Sequence, residues 1–140
     1  EKAIDVSRES RAGGNTPFGC VLVDVDGEII LEQGNVEITE SICTGHAETV
    51  IMERASKLYD KKFLWNCTLY TTCEPCPMCA GAVYWGNVGR VVYAMTEERL
   101  LQMTGSHVCE YLRHIPSGIS LRLYTSVHCN RTDPQVPSTL

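Results

Sequence analysis

Several short stretches of the chain are rich in hydrophobic and aromatic residues, one of them (119–125) alternates hydrophobic and polar residues, and between these stretches the hydrophobic residues recur at helical spacing. Alternation is typical of half-buried strands, whereas a repeat near three to four residues indicates an amphipathic helix. Asp26-Gly27 separates two β-type runs and predicts a tight hairpin turn. The first predicted elements are a helix over 2–12, strands over 18–23 and 28–33, and a helix from 44 or 45. They are followed by a strand over 67–72, a helix from Pro75 to Gly86-Asn87, a strand over 90–94, a helix over 96–103 and a strand over 119–125. In the helix from 44 or 45, the residues expected to face inward are Val50, Ile51, Ala55 and Leu58.

The order of these elements predicts an α/β fold. An opening hairpin, followed by strands that alternate with helices, favours a mixed sheet that is parallel in its later half. The 140 residues suit a single domain, 1–140, and no internal repeat or linker divides it. Glu1 lies at the start of the first predicted helix, so we expect that helix to be truncated. Residues 130–140 are expected to form a loose tail.

Composition and charge narrow the range of partners. Hydrophobic residues make up 44% of the chain and charged residues 21%, which is typical of a globular protein. The formal net charge of −5 argues against broad nucleic-acid binding, and no apolar run approaches the ~18 residues of a membrane span. Eight cysteines would suit a disulfide-rich secreted protein, but a chain of this length builds a core without such bridges. We therefore predict free thiols and a cytoplasmic protein.

Two short motifs carry the predicted chemistry, His46-Ala47-Glu48 and Pro75-Cys76-Pro77-Met78-Cys79. One imidazole and two thiolates suit Zn²⁺, and a zinc ion with only three protein ligands keeps a position for water. His46, Cys76 and Cys79 are therefore the predicted ligands of one zinc ion per chain, and Glu48 is the predicted catalytic proton carrier. The H-x-E and P-C-x-x-C arrangement is the signature of zinc deaminases that act on nucleobases.

Other interpretations of these residues are open. A Cys-x-x-Cys pair also occurs as a redox dithiol, a disulfide or half of a four-cysteine structural zinc site. The chain has no second Cys-x-x-Cys, and His128-Cys129 lies in a proline-rich tail, which makes it a poor source of a fourth ligand. Glu48 could simply be a carboxylate favoured at a helix start. The distant His-x-Glu motif favours the catalytic zinc over these alternatives.

The predicted elements explain how the ligands converge. His46 and Glu48 are expected in the first turn of one helix, and Cys76 and Cys79 at the start of the next. Residues three apart share a helix face, and a helix N-terminus favours thiolates, so both sulfurs can bind one ion. Glu48 would take a proton from the activated water and return it to the ring nitrogen and the leaving amine, so that ammonia departs.

Beyond these motifs, residues 15–105 resemble the cytidine-deaminase superfamily, in particular the branch of bacterial-type guanine deaminases and tRNA-specific adenosine deaminases. The segments that carry the resemblance are Thr16-Pro17-Phe18-Gly19, Gly34-Asn35, Thr44-Gly45-His46-Ala47-Glu48 and the run from Leu69 to Cys79. The resemblance implies a three-layer α-β-α sandwich around a five-stranded mixed sheet. It also implies a zinc-dependent hydrolase and a homodimer, because members of the family are commonly dimers.

The resemblance further implies four substrate contacts. Asn35 would hydrogen-bond the base, Ala47 would offer backbone contacts, Phe18 would wall the pocket, and Trp85 would stack on a purine. The residues by themselves are also compatible with a turn asparagine, a helix residue and core aromatics.

The substrate is the least determined part of the prediction. Cys76-Pro77-Met78-Cys79 followed by Tyr84-Trp85 resembles guanine deaminases, whereas Cys79-Ala80-Gly81-Ala82 is closer to the tRNA enzymes. Guanine deaminases carry an acidic substrate-recognising residue beyond the fourth strand, where this chain has no matching aspartate. The candidates for that role are Glu97, Glu98 and Glu110, and Tyr111 and His114 are looser candidates for the closing segment.

We therefore predict ammonia release from a nucleobase or nucleoside, with a guanine-type purine favoured. A tRNA-specific adenosine deaminase is the alternative, although the acidic balance is unfavourable for holding phosphates. A non-catalytic zinc-binding subunit is a further alternative, and the intact Glu48 argues against it.

Overall fold

The computed structural model describes residues 1–105. Its helices and strands, in chain order, are α1 Lys2–Ala12, β1 Gly19–Val23, β2 Ile29–Gly34, α2 Ala47–Leu58, α3 Lys61–Trp65, β3 Thr68–Cys73, α4 Pro77–Gly86, β4 Arg90–Met95 and α5 Glu97–Thr104. The predicted strand over 119–125 and the tail over 130–140 lie outside the described residues, as do Glu110, Tyr111 and His114.

The strands of residues 1–105 form one mixed sheet in the order β2-β1-β3-β4. β1 pairs antiparallel with both β2 and β3, with Cys20 opposite Thr71. β3 and β4 pair in parallel, with Leu69 opposite Val91, because α4 provides the crossover that a parallel pair requires. Gly27 has a φ of +89° in the turn between β1 and β2, a backbone conformation that glycine adopts without steric cost.

Helices cover both faces of this sheet. On one face, Leu22 and Leu69 are fully buried against Ile51 of α2 and Val83 of α4. On the other face, Val21 packs against residues of α1. Burying one such aliphatic side chain contributes about 1.5–3 kcal/mol, so both helical layers help to fix the sheet. The described part of the chain is therefore a three-layer α-β-α arrangement, as predicted.

The start of α2 differs from the prediction. The helix begins at Ala47 rather than at 44 or 45, because the preceding residues form a loop closed by hydrogen bonds. The Val36 amide donates to the Gly45 carbonyl at 2.9 Å, and the Gly45 amide donates to the Ile42 carbonyl at 2.8 Å. His46 is consequently the N-cap residue in extended conformation and does not lie in the first turn.

Two further details of the helices were not predicted correctly. Leu58 was expected to face inward but is 63% exposed at the end of α2, whereas Met52 is buried. The short helix α3 was not predicted; it begins after Asp60, whose side chain accepts a hydrogen bond from the Phe63 amide at 2.7 Å. Val50 is only partly buried.

Cys20 and Cys67 are free, buried thiols, as predicted. Among the helices within residues 1–105, none is both long and apolar enough to cross a bilayer.

Candidate metal centre and active site

Two loop-to-helix junctions bring the three predicted zinc ligands together. His46 caps α2, Cys76 caps α4, and Cys79 lies in the first turn of α4. The Nδ1 atom of His46 is 3.6 Å from the Sγ atom of Cys76 and 3.6 Å from the Sγ atom of Cys79. All three ligand atoms lie within 4.8 Å of one another.

These distances fit a zinc ion. Two ligands of a tetrahedral zinc, at about 2.0–2.1 Å for nitrogen and about 2.3 Å for sulfur, are about 3.6 Å apart. Both measured nitrogen–sulfur distances have this value. Within residues 1–105, this group of possible ligands comprises His46, Cys76 and Cys79 and no fourth residue, the donor number expected of a catalytic site.

The surroundings of the two sulfurs favour one thiolate even before metal binds. A hydrogen bond from Cys79 and a second one from His46 lower the pKa of Cys76 to about 4, against the opposing effect of burial. The pKa of Cys79 is raised, first by its hydrogen bond with Cys76 and then by burial. Of the two sulfurs, Cys76 is therefore the one whose thiolate form is favoured. The partial positive charge at the start of α4 supports the same state.

Glu48 lies beside the three ligands and is itself buried, with 5% exposure. The Thr71 hydroxyl donates a short hydrogen bond to Oε1 of Glu48, and the Cys79 thiol donates to Oε2 at 3.5 Å. Burial raises the pKa of Glu48, and the hydrogen bond from Thr71 partly opposes that effect. A fixed carboxyl with a raised pKa is suited to accepting and returning protons near neutral pH.

His46, Cys76 and Glu48 form one side of a cavity that opens to solvent. The residues that line this cavity come from loops, from the zinc motif and from α5: Thr16, Phe18, Asn35, Glu37, His46, Glu48, Cys73, Glu74, Cys76, Glu97 and Leu100.

Asn35 and Phe18 reach the cavity, where substrate contacts were expected. Asn35 is 2% exposed, and its Oδ1 accepts a hydrogen bond from the Glu37 amide at 2.9 Å. Its backbone is held by the Phe18 carbonyl and by the Ser10 hydroxyl. Because Oδ1 is already engaged, the Nδ2 amide group is the part of Asn35 that can serve a ligand.

Ala47 and Trp85 do not line the cavity. Ala47 is fully buried at the start of α2. Trp85 is 73% exposed on α4, where its ring packs edge-on against Tyr84. Val83 and Gly86 face the core, and a residue two positions after Val83 points about 200° away from it around a helix. Trp85 therefore lies away from the cavity that residues 1–105 form, and its stacking on a substrate stays a prediction.

Several cavity residues were not singled out from the sequence. Thr16 has a buried hydroxyl with no hydrogen-bond partner within residues 1–105. Glu74 connects the zinc motif to α5, because its Oε2 accepts from the Glu97 amide at 3.1 Å. Glu97, by contrast, was one of the three acidic candidates, and it is half-buried in the wall. Burial and then the Cys76 charge raise its pKa to about 7. The position of Glu74 within the zinc motif was the available signal for its role.

Residues 1–95 match the family profile described as the cytidine and deoxycytidylate deaminase zinc-binding region. The chain belongs to this deaminase family. Family membership and the placement of His46, Cys76 and Cys79 both indicate that the site binds one zinc ion.

Curated members of the deaminase family with different names are similar to the chain. It is 38% identical over 103 residues to a probable cytosine deaminase of Schizosaccharomyces pombe, with 74% of the chain and 62% of that relative covered. It is 43% identical over 95 residues to a guanine deaminase of Bacillus subtilis, with 67% and 60% covered. It is 41% identical over 93 residues to a tRNA-specific adenosine deaminase of the same species, with 66% and 57% covered. The chain thus spans less than two thirds of the length of each of these relatives.

The structural comparison leads to the same family. The fold is similar to a solved structure of guanine deaminase from Bacillus subtilis, with a TM-score of 0.69 and 34% sequence identity. That comparison covers 99% of this chain and 82% of the solved one.

Proposed function

We propose that the chain is a zinc-dependent hydrolytic deaminase that releases ammonia from a nucleobase or nucleoside, with a guanine-type purine favoured. The observation that carries the proposal is the buried carboxyl of Glu48 beside the sulfur of Cys79, at the wall of an open cavity. A non-catalytic subunit would have no chemical need for a carboxyl there, since burying one costs free energy.

The reaction requires water activation and proton transfer. Bound zinc would supply the Lewis acid that makes water reactive near neutral pH. Glu48 would take one proton from that water and deliver it to the ring nitrogen. It would then take the remaining proton of the added hydroxyl group and deliver it to the amine, so that the carbonyl forms as ammonia leaves. The Thr71 hydroxyl holds Oε1, so that the carboxyl plane is fixed while Oε2 exchanges protons with the substrate.

The polar groups of the cavity wall complement a nucleobase that carries both hydrogen-bond acceptors and donors. The Nδ2 group of Asn35 can donate to a carbonyl oxygen or ring nitrogen, and Phe18 offers an apolar surface to the ring. The carboxylates of Glu37 and Glu97 can accept from N–H groups. Guanine presents a carbonyl oxygen together with N–H and amino donors, which fits this distribution. The similarity to guanine deaminase supports the same substrate.

Charge in the cavity favours a substrate without phosphate. The described lining residues include four glutamates and neither lysine nor arginine. Two unit charges of the same sign at about 7 Å repel by about 2 kcal/mol at an effective dielectric constant near 20, so a nucleotide phosphate is disfavoured. A tRNA-specific adenosine deaminase is the second candidate, favoured by the 41% identity to such an enzyme.

Two general properties accompany this proposal. A homodimer is supported by α4, whose exposed surface includes Tyr84 at 48% and Trp85 at 73% exposure. A cytoplasmic location is supported by the free thiols of Cys20 and Cys67, since a reducing compartment keeps thiols unpaired.

Ammonia release from a panel of guanine, guanosine, cytosine, cytidine, adenine and triazines tests the proposal. We expect release from guanine or guanosine by the zinc-loaded chain. The Glu48→Gln variant should bind zinc and lose about 10²–10⁴-fold in rate. Release from none of these compounds, with activity on a tRNA anticodon loop, would favour the second candidate. Near-normal rates in Glu48→Gln would rule out the proton-transfer role.

A further inference from the structure

The loop between β2 and α2 holds Glu37 in a fixed place. The Glu37 amide donates to Oδ1 of Asn35 at 2.9 Å, and the Glu37 carbonyl accepts from the Ile42 amide at 3.1 Å. Both hydrogen bonds of its backbone are therefore made within the loop.

Gly45, the residue before His46, packs directly against the backbone of Glu37. A Cβ atom at Gly45 would lie 2.8 Å from both the Cα and the amide nitrogen of Glu37, closer than side chains allow. The backbone of Glu37 thus packs on the chain that leads into His46 without any intervening side chain. The relative position of Glu37 and His46 is set by this contact.

The His46 ring has its two nitrogens in different surroundings. Nδ1 faces both sulfurs at 3.6 Å and is the atom that binds metal. A neutral imidazole that binds metal through Nδ1 carries its proton on Nε2, and that N–H requires an acceptor. Oε2 of Glu37 is 3.8 Å from Nε2, and within residues 1–105 it is the one carboxylate oxygen paired with this nitrogen.

The distance of 3.8 Å is longer than a direct hydrogen bond, which requires about 2.7–3.2 Å. The Glu37 carboxylate is partly exposed, with a side-chain exposure of 41%, so its terminal torsions are not locked by packing. A small torsional change of the Glu37 side chain would bring its carboxylate oxygen within hydrogen-bond distance of Nε2. Carboxylates in this position raise the basicity of a metal-binding histidine and fix its ring.

We propose that Glu37 is a positioning residue, whose carboxylate accepts the Nε2 proton of His46 and holds the ring with Nδ1 toward Cys76 and Cys79. Nothing in this role requires Glu37 to touch the substrate. The proposal rests on the zinc site of the proposed function and is independent of which base is deaminated.

Zinc affinity of the full chain, measured by competition with a chromophoric chelator, tests this role. We expect Glu37→Ala to bind zinc about 10–100-fold more weakly than the wild type. Glu37→Gln, which keeps an acceptor oxygen, should retain part of that affinity. Glu40→Ala removes an exposed glutamate from the same loop and is the matched control, with unchanged affinity expected. The His46 Nε2 proton, observed by NMR in the zinc-loaded protein, should exchange faster with water in Glu37→Ala only.

Thermal unfolding of the metal-free variants separates positioning from folding. Metal-free Glu37→Ala should have the same melting temperature as the metal-free wild type. Equal zinc affinity in wild type and Glu37→Ala, an equal loss in Glu40→Ala, or a large loss of stability in metal-free Glu37→Ala would each overturn the proposal. A wild-type chain that binds no zinc would overturn both proposals, whereas zinc binding without deamination would overturn only the proposed function.

Discussion

Thr71 should control the pH at which the enzyme becomes active. Its hydroxyl donates to the carboxylate of Glu48, and both side chains are buried, with exposures of 3% and 5%. The hydrogen bond stabilises the charged form of Glu48 and so lowers its pKa against the effect of burial. Thr71→Val keeps the shape of the side chain and removes the donor. The pKa of Glu48 should therefore rise further in this variant.

The structure gives the size of the effect. A hydrogen bond to a charged group contributes about 1.5–3 kcal/mol, and solvent does not screen this one because both partners are buried. That energy corresponds to a change of about 10- to 150-fold in the ionised fraction of Glu48 at a pH below its pKa. Because Glu48 accepts a proton only as a carboxylate, kcat/KM on the acid side of the profile should fall by the same factor and recover at higher pH.

The assay is the pH dependence of kcat/KM for ammonia release by the zinc-loaded wild type and Thr71→Val. Thr68→Val, on the same strand but outside the cavity lining, is the matched control and should leave the profile in place. An acid limb that does not move in Thr71→Val would refute the reasoning. A loss of rate that is uniform across pH would also refute it, because it would show misplacement of Glu48 rather than a changed ionisation.

Three other predictions concern packing, substrate binding and assembly. Gly45→Ala should destabilise the fold by about 1–3 kcal/mol because its Cβ would lie 2.8 Å from Glu37, whereas Gly81→Ala, with open space around the new Cβ, should not lower the melting temperature. Asn35→Ala should reduce kcat/KM for the best base by about tenfold or more, through a raised KM, because a donor to the base is lost; an unchanged KM would contradict that role. Trp85→Ser should change the stability of the isolated chain by less than about 0.5 kcal/mol, and it should shift a dimer toward monomer in sedimentation.

Much of the fold follows from local patterns in the sequence. The hairpin at Gly27 and the end of α4 at Asn87, which has a φ of 65°, were predicted because glycine and asparagine tolerate left-handed backbone. The five-residue helix α3 was missed because it is too short to show a hydrophobic period. The start of α2 was misplaced because bonds between Val36, Ile42 and Gly45 belong to the folded loop and leave no periodic signal.

The candidate site likewise has parts that could be predicted from the sequence and parts that could not. The zinc ligands could be predicted because metal binding demands particular side chains at a particular spacing. Asn35 and Phe18 were placed in the cavity wall by the resemblance. The rest of the wall could not be predicted, since Thr16, Glu37 and Leu100 reach it from loops and from α5, whose positions depend on tertiary contacts. The position of Trp85 away from the described cavity could not be predicted either, because similarity of sequence carries no information on which helix face meets the cavity.

The zinc content of the purified full chain tests the central claim most directly. Elemental analysis should find about one zinc atom per chain in the wild type, as expected for a single catalytic site. Cys79→Ser should lose the metal, whereas Cys73→Ser, which changes a neighbouring buried thiol outside the three ligands, should retain it. A folded wild type without zinc, or equal zinc loss in Cys73→Ser and Cys79→Ser, would contradict the account.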